Sequence, residues 1–156
     1  MIQLRQSYGP IDLLPQRPPM LLIDSIDDYG EDWLCASVVI RPESVFFQAP
    51  LGIPAYVGLE YMAQTAAAHG ALDLVQRGAA PSICLLIGCR EYRCTVGHFP
   101  CAAILRIEAR LLLRDAQDFA AYDCTITWNS NVLARSTLKA VRPQDIAIVV
   151  ESQLHG

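Results

Sequence analysis

The sequence predicts an α+β fold: an antiparallel, curled sheet wrapped around one long central helix at about residues 54–78. Three observations predict it. Residues 54–78 read as one helix made almost entirely of apolar or small side chains. Two extended stretches precede that helix. Four or five more follow it, separated by turn residues, and strands gathered around a single helix belong to the α+β class. The chain of 156 residues suits one domain, 1–156, with 1–19 as a lead-in and 143–156 as a tail.

The helix is bracketed by Pro54 and Gly78, which act as start and stop signals. Leu59, Met62, Ala63, Ala66, Ala67, Gly70 and Leu74 recur at three- and four-residue spacing, and Ala68 and Ala71 widen the apolar surface. A helix that is apolar nearly all round is buried rather than laid on a surface. Its Ala and Gly residues let other backbone approach closely. Glu60 stands in this apolar setting, which implies that it faces something needing a carboxylate.

Taken in order, residues 1–19 are punctuated by proline, with a short helical turn near 11–14. Residues 20–26 (MLLIDSI) form a first strand, 27–32 (DDYGED) a turn and 33–40 a second strand. Residues 41–53 form a loop whose Phe46 and Phe47 cap one end of the core. After the helix, 82–88 (SICLLIG) is a buried strand, 91–96 another extended piece and 97–101 a turn. Residues 103–114 alternate Arg106, Glu108 and Arg110 with Leu105, Ile107, Ala109 and Leu111, a period of two with one wet and one dry face. Residues 119–128 place Tyr122, Cys124, Ile126 and Trp128 on one face. Asn129, Ser130 and Asn131 make a hairpin turn into a last strand at 132–141. An antiparallel sheet curling around one buried helix in this order is the hotdog arrangement.

Hydrophobic residues make up 53% of the chain and charged residues 18%, so some apolar surface is expected to be buried in an oligomer. No apolar stretch is long enough for a membrane span. The N-terminus lacks a signal-peptide core, so the protein is read as cytoplasmic, with its six Cys reduced. A net charge of −4 argues against nucleic acid as a partner. No cofactor is implied. Cys89, Cys94, His98 and Cys101 do not reproduce paired zinc-ligand spacing, so no metal is implied either.

Two segments carry a family resemblance. LLPQRPPMLLID resembles the LPHRxPFLLVD segment of β-hydroxyacyl-ACP dehydratases. FFQ followed by PAYVGLEYMAQ resembles the same enzymes' FFxGHFPxxPxxPGVLxxEAMAQ, with Glu60, Met62, Ala63 and Gln64 falling on E-x-M-A-Q. The resemblance spans roughly residues 13–142. Within that family it is closest to the dehydratase-like subunit of aryl-polyene biosynthesis clusters.

The resemblance implies a 3-hydroxyacyl thioester dehydratase with an acyl carrier protein or CoA thioester as substrate. In that family a His acts as base and a helix carboxylate as acid, from opposite subunits of a dimer. It implies Glu60 as the acid, Gln64 as its orienting neighbour, and the backbone at Ala55, Tyr56, Val57 and Gly58 as the site that polarises the thioester carbonyl. The family's GHFPG loop carries the catalytic His, but here the matching segment reads QAPLGI. The letters Gly97-His98-Phe99-Pro100 occur in a different place and are read as coincidence. His69 points to the opposite side of the helix from Glu60, and His155 lies in the tail. His98 remains a candidate only if a neighbouring subunit delivers it.

Three readings stay open. The chain is a dehydratase, or a dehydratase subunit whose His comes from a homologous partner. Alternatively it is a hotdog thioesterase, in which the helix carboxylate activates water, or a non-catalytic hotdog dimer partner. Hotdog relatives pair the strand after the helix with its copy. Here that strand is the uncharged run 83–88, so a homodimer or heterodimer is expected.

Overall fold

The computed structural model describes residues 5–143. A short helix, α1 (Pro10–Leu13), leads into β1 (Ser25–Tyr29) and β2 (Trp33–Val39). The short strand β3 (Ile53–Pro54) and a 3₁₀ turn (Ala55–Val57) open the long helix α2 (Gly58–Gln76). Then come β4 (Leu85–Cys94), β5 (His98–Phe99), β6 (Ile104–Arg114), β7 (Phe119–Trp128) and β8 (Asn131–Val141). One antiparallel sheet runs in the order β1-β2-β6-β7-β8-β4, and β3 pairs with β5 in a separate ladder. This is the expected hotdog architecture, a curled sheet with one long helix against it. Most of the tail, with His155, lies outside the described residues.

The helix is buried over most of its circumference. Met62, Ala66, Ala68 and Leu72 are each no more than 3% exposed, and the helix packs chiefly on β6 and β2. The sheet answers with Leu105, Ile107 and Ala109 of β6, all fully buried, while Arg106 and Arg110 on the other face are exposed. Each Leu or Ile so buried contributes about 1.5–3 kcal/mol. The β7–β8 turn has positive φ at Asn129 (50°) and Ser130 (65°), as a two-residue hairpin with matching strand twist requires. Phe46 and Phe47 pack half-buried against the core.

Several boundaries differ from the sequence reading. The first strand is not 20–26. It begins at Ser25 and runs through Asp27–Tyr29, residues whose composition reads as a turn. The Met20 carbonyl and the Leu22 N–H are bonded to the side chain of Gln64 instead of to a strand. Regular pairing to β2 starts only where Asp24 N–H reaches the Ser37 carbonyl. The two pieces expected at 82–88 and 91–96 merge into one strand, β4, over Leu85–Cys94, whose pairing with β8 shifts register twice, with Glu91 at φ 50°; the first piece is not buried as expected, because β4 is an edge strand that leaves Leu86 and Ile87 exposed. A strand with such irregularities loses its clean alternation and reads as two. The supposed turn at 97–101 contains β5, which pairs with β3 just ahead of α2. Gly52 makes this approach possible: it has φ +114°, and a Cβ there would lie 2.0 Å from the Phe99 carbonyl oxygen.

Candidate functional site

The sequence EYMAQ places Glu60 and Gln64 one helical turn apart on one face of α2. Glu60 is half-buried, and Gln64 is 1% exposed. Gln64 Nε2 donates to Glu60 Oε1 at 2.9 Å and to the Met20 carbonyl at 2.9 Å. Gln64 Oε1 accepts the Leu22 N–H at 2.9 Å. Both amide N–H groups and the amide oxygen are therefore used. The reversed amide would set NH₂ against the Leu22 N–H and its oxygen against two acceptors, so the network itself determines the orientation. Only one Glu60 oxygen is held in this way.

Glu60 and Gln64 line a cleft of about 180 Å³ together with Gln16, Ala63, Ala66, Ala67, Cys84, Leu85, Leu86, Leu138 and Ala140. The alanines of α2 leave the space that larger side chains would fill. Leu85 and Leu86 belong to β4, an edge strand of the sheet, so the cleft lies where a neighbouring subunit along that edge would come close.

The other sequence-predicted residues sit apart from this cleft. Ala55 N–H donates to the Gly97 carbonyl at 3.0 Å, and the Ala55 carbonyl accepts the Tyr92 hydroxyl at 2.6 Å. Gly58 N–H is turned back onto Ala55 and Tyr56 carbonyls. A Cβ on Gly58 would lie 2.3 Å from Tyr92 Oη, so this backbone is packed, not open. Tyr56 is 69% exposed and Val57 is buried. His98 lies on β5 opposite Pro54, with Nε2 3.1 Å from Gln48 Oε1. The Gly-His-Phe-Pro letters thus end up beside the loop ahead of α2, through a pairing between residues far apart in the chain. None of these residues lines the Glu60 cleft.

His69 is buried against β7. Its Nε2 lies 2.8 Å from the Glu31 carbonyl, so that nitrogen carries the proton, and Nδ1 accepts the Tyr122 hydroxyl at 2.8 Å. Arg114 Nη2 donates to the same hydroxyl oxygen at 3.2 Å. Burial pushes the His69 pKa below the ordinary imidazole value, with Arg114 acting in the same direction and the Glu31 carbonyl opposing. Among the described residues no three His, Cys, Asp or Glu converge as metal ligands. No helix there is long and apolar enough to cross a membrane.

Gln16 escaped the sequence reading. It stands in a proline-punctuated lead-in, where no periodicity marks a side chain as facing inward. The only sequence signal at that position is its membership of the LLPQRPPMLLID segment.

A curled antiparallel sheet around one helix, with a carboxylate in the helix's first turn beside a small cleft, defines a hotdog protein. Within that fold the chain belongs to the ApeP-like dehydratase family: the family model, described as ApeP dehydratase, matches residues 9–151. Among solved structures the chain is similar to the dehydratase heterocomplex ApeI:P from Xenorhabdus doucetiae. The TM-score is 0.85 at 23% identity, over 92% of this chain and 97% of that one. It also resembles the E. coli PaaI protein from the phenylacetic acid degradation operon (TM-score 0.58, 13% identity, 75% and 81% of the two chains). A third is a hypothetical thioesterase protein with coenzyme A from Streptococcus pneumoniae TIGR4 (0.59, 8%, 76% and 84%). At these identities the structures establish the shared fold. No curated protein matches.

Proposed function

We propose that the chain is one subunit of a 3-hydroxyacyl thioester dehydratase, in which Glu60 is the general acid and the base is a His supplied across a subunit interface. The observation that carries this reading is Glu60 clamped by Gln64 on the wall of a cleft that neither described His lines, in a chain of a dehydratase family. Gln64 donates to Oε1, which marks Oε1 as the acceptor oxygen and leaves the proton for Oε2, the oxygen without a bond to Gln64. In the reaction the base removes the proton beside the thioester carbonyl and Glu60 protonates the departing hydroxyl. The carbon–carbon double bond forms, and water leaves.

The partner is a homologous hotdog subunit paired along β4. Leu86 and Ile87 on this edge are 42% and 53% exposed, and an uncovered apolar edge strand invites another chain. The similar ApeI:P structure is itself a heterocomplex. The substrate is carried on an acyl carrier protein or CoA in the cytoplasm. Arg93 and Arg135 face each other across β4 and β8, with Arg90 nearby in the same shallow groove. The groove also holds Glu91, which pairs with Arg93, and Asp123, so three arginines stand against two carboxylates there, a modest positive excess of the sign that an acidic carrier would favour.

The test is hydration of an enoyl thioester by the purified chain, then by the chain with a His-bearing homologue encoded beside it. The expected result is activity only in the pair, lost in Glu60→Gln. Full activity of the pure chain that survives Glu60→Gln overturns the reading, and loss in His98→Ala alone would make His98 of a second copy the base. A thioesterase remains the second reading, because the Glu60–Gln64 pair needs no His to activate water. Release of free thiol from an acyl thioester separates the two.

A further inference from the structure

The wall of the Glu60 cleft reaches the edge of the sheet. Leu85 and Leu86 line the cleft, they begin the edge strand β4, and Leu86 is 42% exposed. That end of β4 lies against α2 between Glu60 and Ala67. Tyr92, near the other end, sits with its hydroxyl against Ala55 and Gly58. β4 therefore runs back along α2 and finishes, at Cys94, beside the start of the helix. A little further on, His98 pairs with Pro54 and its Nε2 lies 3.1 Å from Gln48 Oε1. That oxygen only accepts, so Nε2 carries the proton and Nδ1 keeps its lone pair. Both ends of β4 carry uncovered apolar groups. Leu86 and Ile87 are 42% and 53% exposed at one, and Leu51 and Tyr56, beside His98, are 57% and 69% exposed at the other.

We propose that the partner paired along β4 closes the Glu60 cleft with the far end of its own β4 and the segment after it, the counterpart of Cys94–His98. In return, His98 of this chain lies at the mouth of the partner's cleft. Two subunits that pair the same strand about a twofold axis run those strands antiparallel. β4 has 10 residues, a length of roughly 30 Å, and a paired strand lies about 4.8 Å away. Reversed at that spacing, the partner's far end comes beside Leu85 and Leu86. Within one chain the His98 end and the cleft stand at opposite ends of β4, and no described His lines the cleft. Across the pair the two ends meet. Leu86 and Ile87 are then covered by the partner's apolar end instead of by their own copies. The base that faces Glu60 belongs to the partner's counterpart of the Gln48–His98 corner. The role of that base rests on the dehydratase reading, but the closure is tested without turnover.

The test places the photo-crosslinking amino acid p-benzoylphenylalanine at position 86 and irradiates the chain by itself and with its homologue. Mass spectrometry of the joined peptides should locate the crosslink on the partner's counterpart of residues 92–98. The same probe at position 97, where a Cβ on Gly97 meets nothing within 4 Å in this chain, should join the partner's counterpart of residues 84–87. Attachment of the first probe to the partner's counterpart of Leu86, attachment within one chain only, or light scattering that finds monomers in both samples overturns the proposal. Closure should also show in binding. Ile87 is not part of the cleft wall, so the monomeric Ile87→Asp chain should bind crotonyl-pantetheine about tenfold more weakly than the pair, or weaker still. Equal affinity in the two overturns closure. A pair that crosslinks as expected but does not hydrate the thioester retires the dehydratase reading and leaves the closure standing. Hydration with the crosslink elsewhere does the reverse.

Discussion

One nitrogen, Gln64 Nε2, lies 2.9 Å from both Glu60 Oε1 and the Met20 carbonyl oxygen, so a single amide latches the lead-in to the face of α2 that carries the carboxylate. Orientation of Glu60 and attachment of residues 20–22 are therefore one interaction. Gln64→Leu should lose both. It strands the Met20 carbonyl and the Leu22 N–H and should cost about 2–4 kcal/mol, read as a lower urea midpoint.

Glu60→Gln should behave differently. Gln keeps the size of the side chain and an oxygen for Gln64 Nε2 to reach, so the melting temperature should hold within a few degrees. The dehydratase activity of the complex should fall by about 10²–10⁴-fold, the usual contribution of a positioned acid. Enoyl hydration by the two complexes side by side measures this.

Gly58→Ala should destabilise the start of the helix without backbone strain, because Gly58 has ordinary helical angles, φ −56° and ψ −29°. The new methyl would meet Tyr92 Oη at 2.3 Å, Ile126 Cδ1 at 2.9 Å and Phe99 Cζ at 3.0 Å. It must displace the Tyr92 hydroxyl from the Ala55 carbonyl. The expected cost is about 1–3 kcal/mol, and Gly58→Ala with Tyr92→Phe should recover part of it in a double-mutant cycle.

The His69 network makes stability depend on pH in a defined sense. Burial lowers its pKa from the ordinary 6.5, so the folded protein holds His69 neutral where the unfolded chain protonates it. The contribution is fully present above about pH 6.5 and is lost as pH falls toward the folded-state pKa. Thermal melts from pH 8 to pH 5 should show this slope. His69→Leu should reduce the slope while lowering stability at every pH, since it leaves the Glu31 carbonyl and Tyr122 hydroxyl without this partner.

Ile87→Asp tests the β4 edge. Ile87 is 53% exposed in the single chain, so a monomer should tolerate a charge there. Size-exclusion with light scattering should show the wild type paired with itself or its homologue, and the variant as a monomer with an unchanged melting temperature at low concentration.

The sequence by itself determined the elements whose signal is local. The apolar run of α2 and the Arg106–Leu111 alternation of β6 are written in the sequence, and the burial face of β6 followed from its period of two; on α2 the series at three- and four-residue spacing did not mark the buried face, since Leu59, Ala63, Ala67 and Leu74 are only half-buried while Tyr61, Thr65 and His69 are buried. It also determined that Glu60 and Gln64 share a face, because one helical turn separates them. Tertiary structure alone decided what those groups meet. No periodicity announces that Gln64 would take its other bonds from Met20 and Leu22, that β5 would pair with β3 and carry His98 to Gln48, or that Gln16 would join the wall of the Glu60 cleft. The physical reason is that these contacts join residues far apart in the chain, and each depends on how the whole sheet closes around the helix.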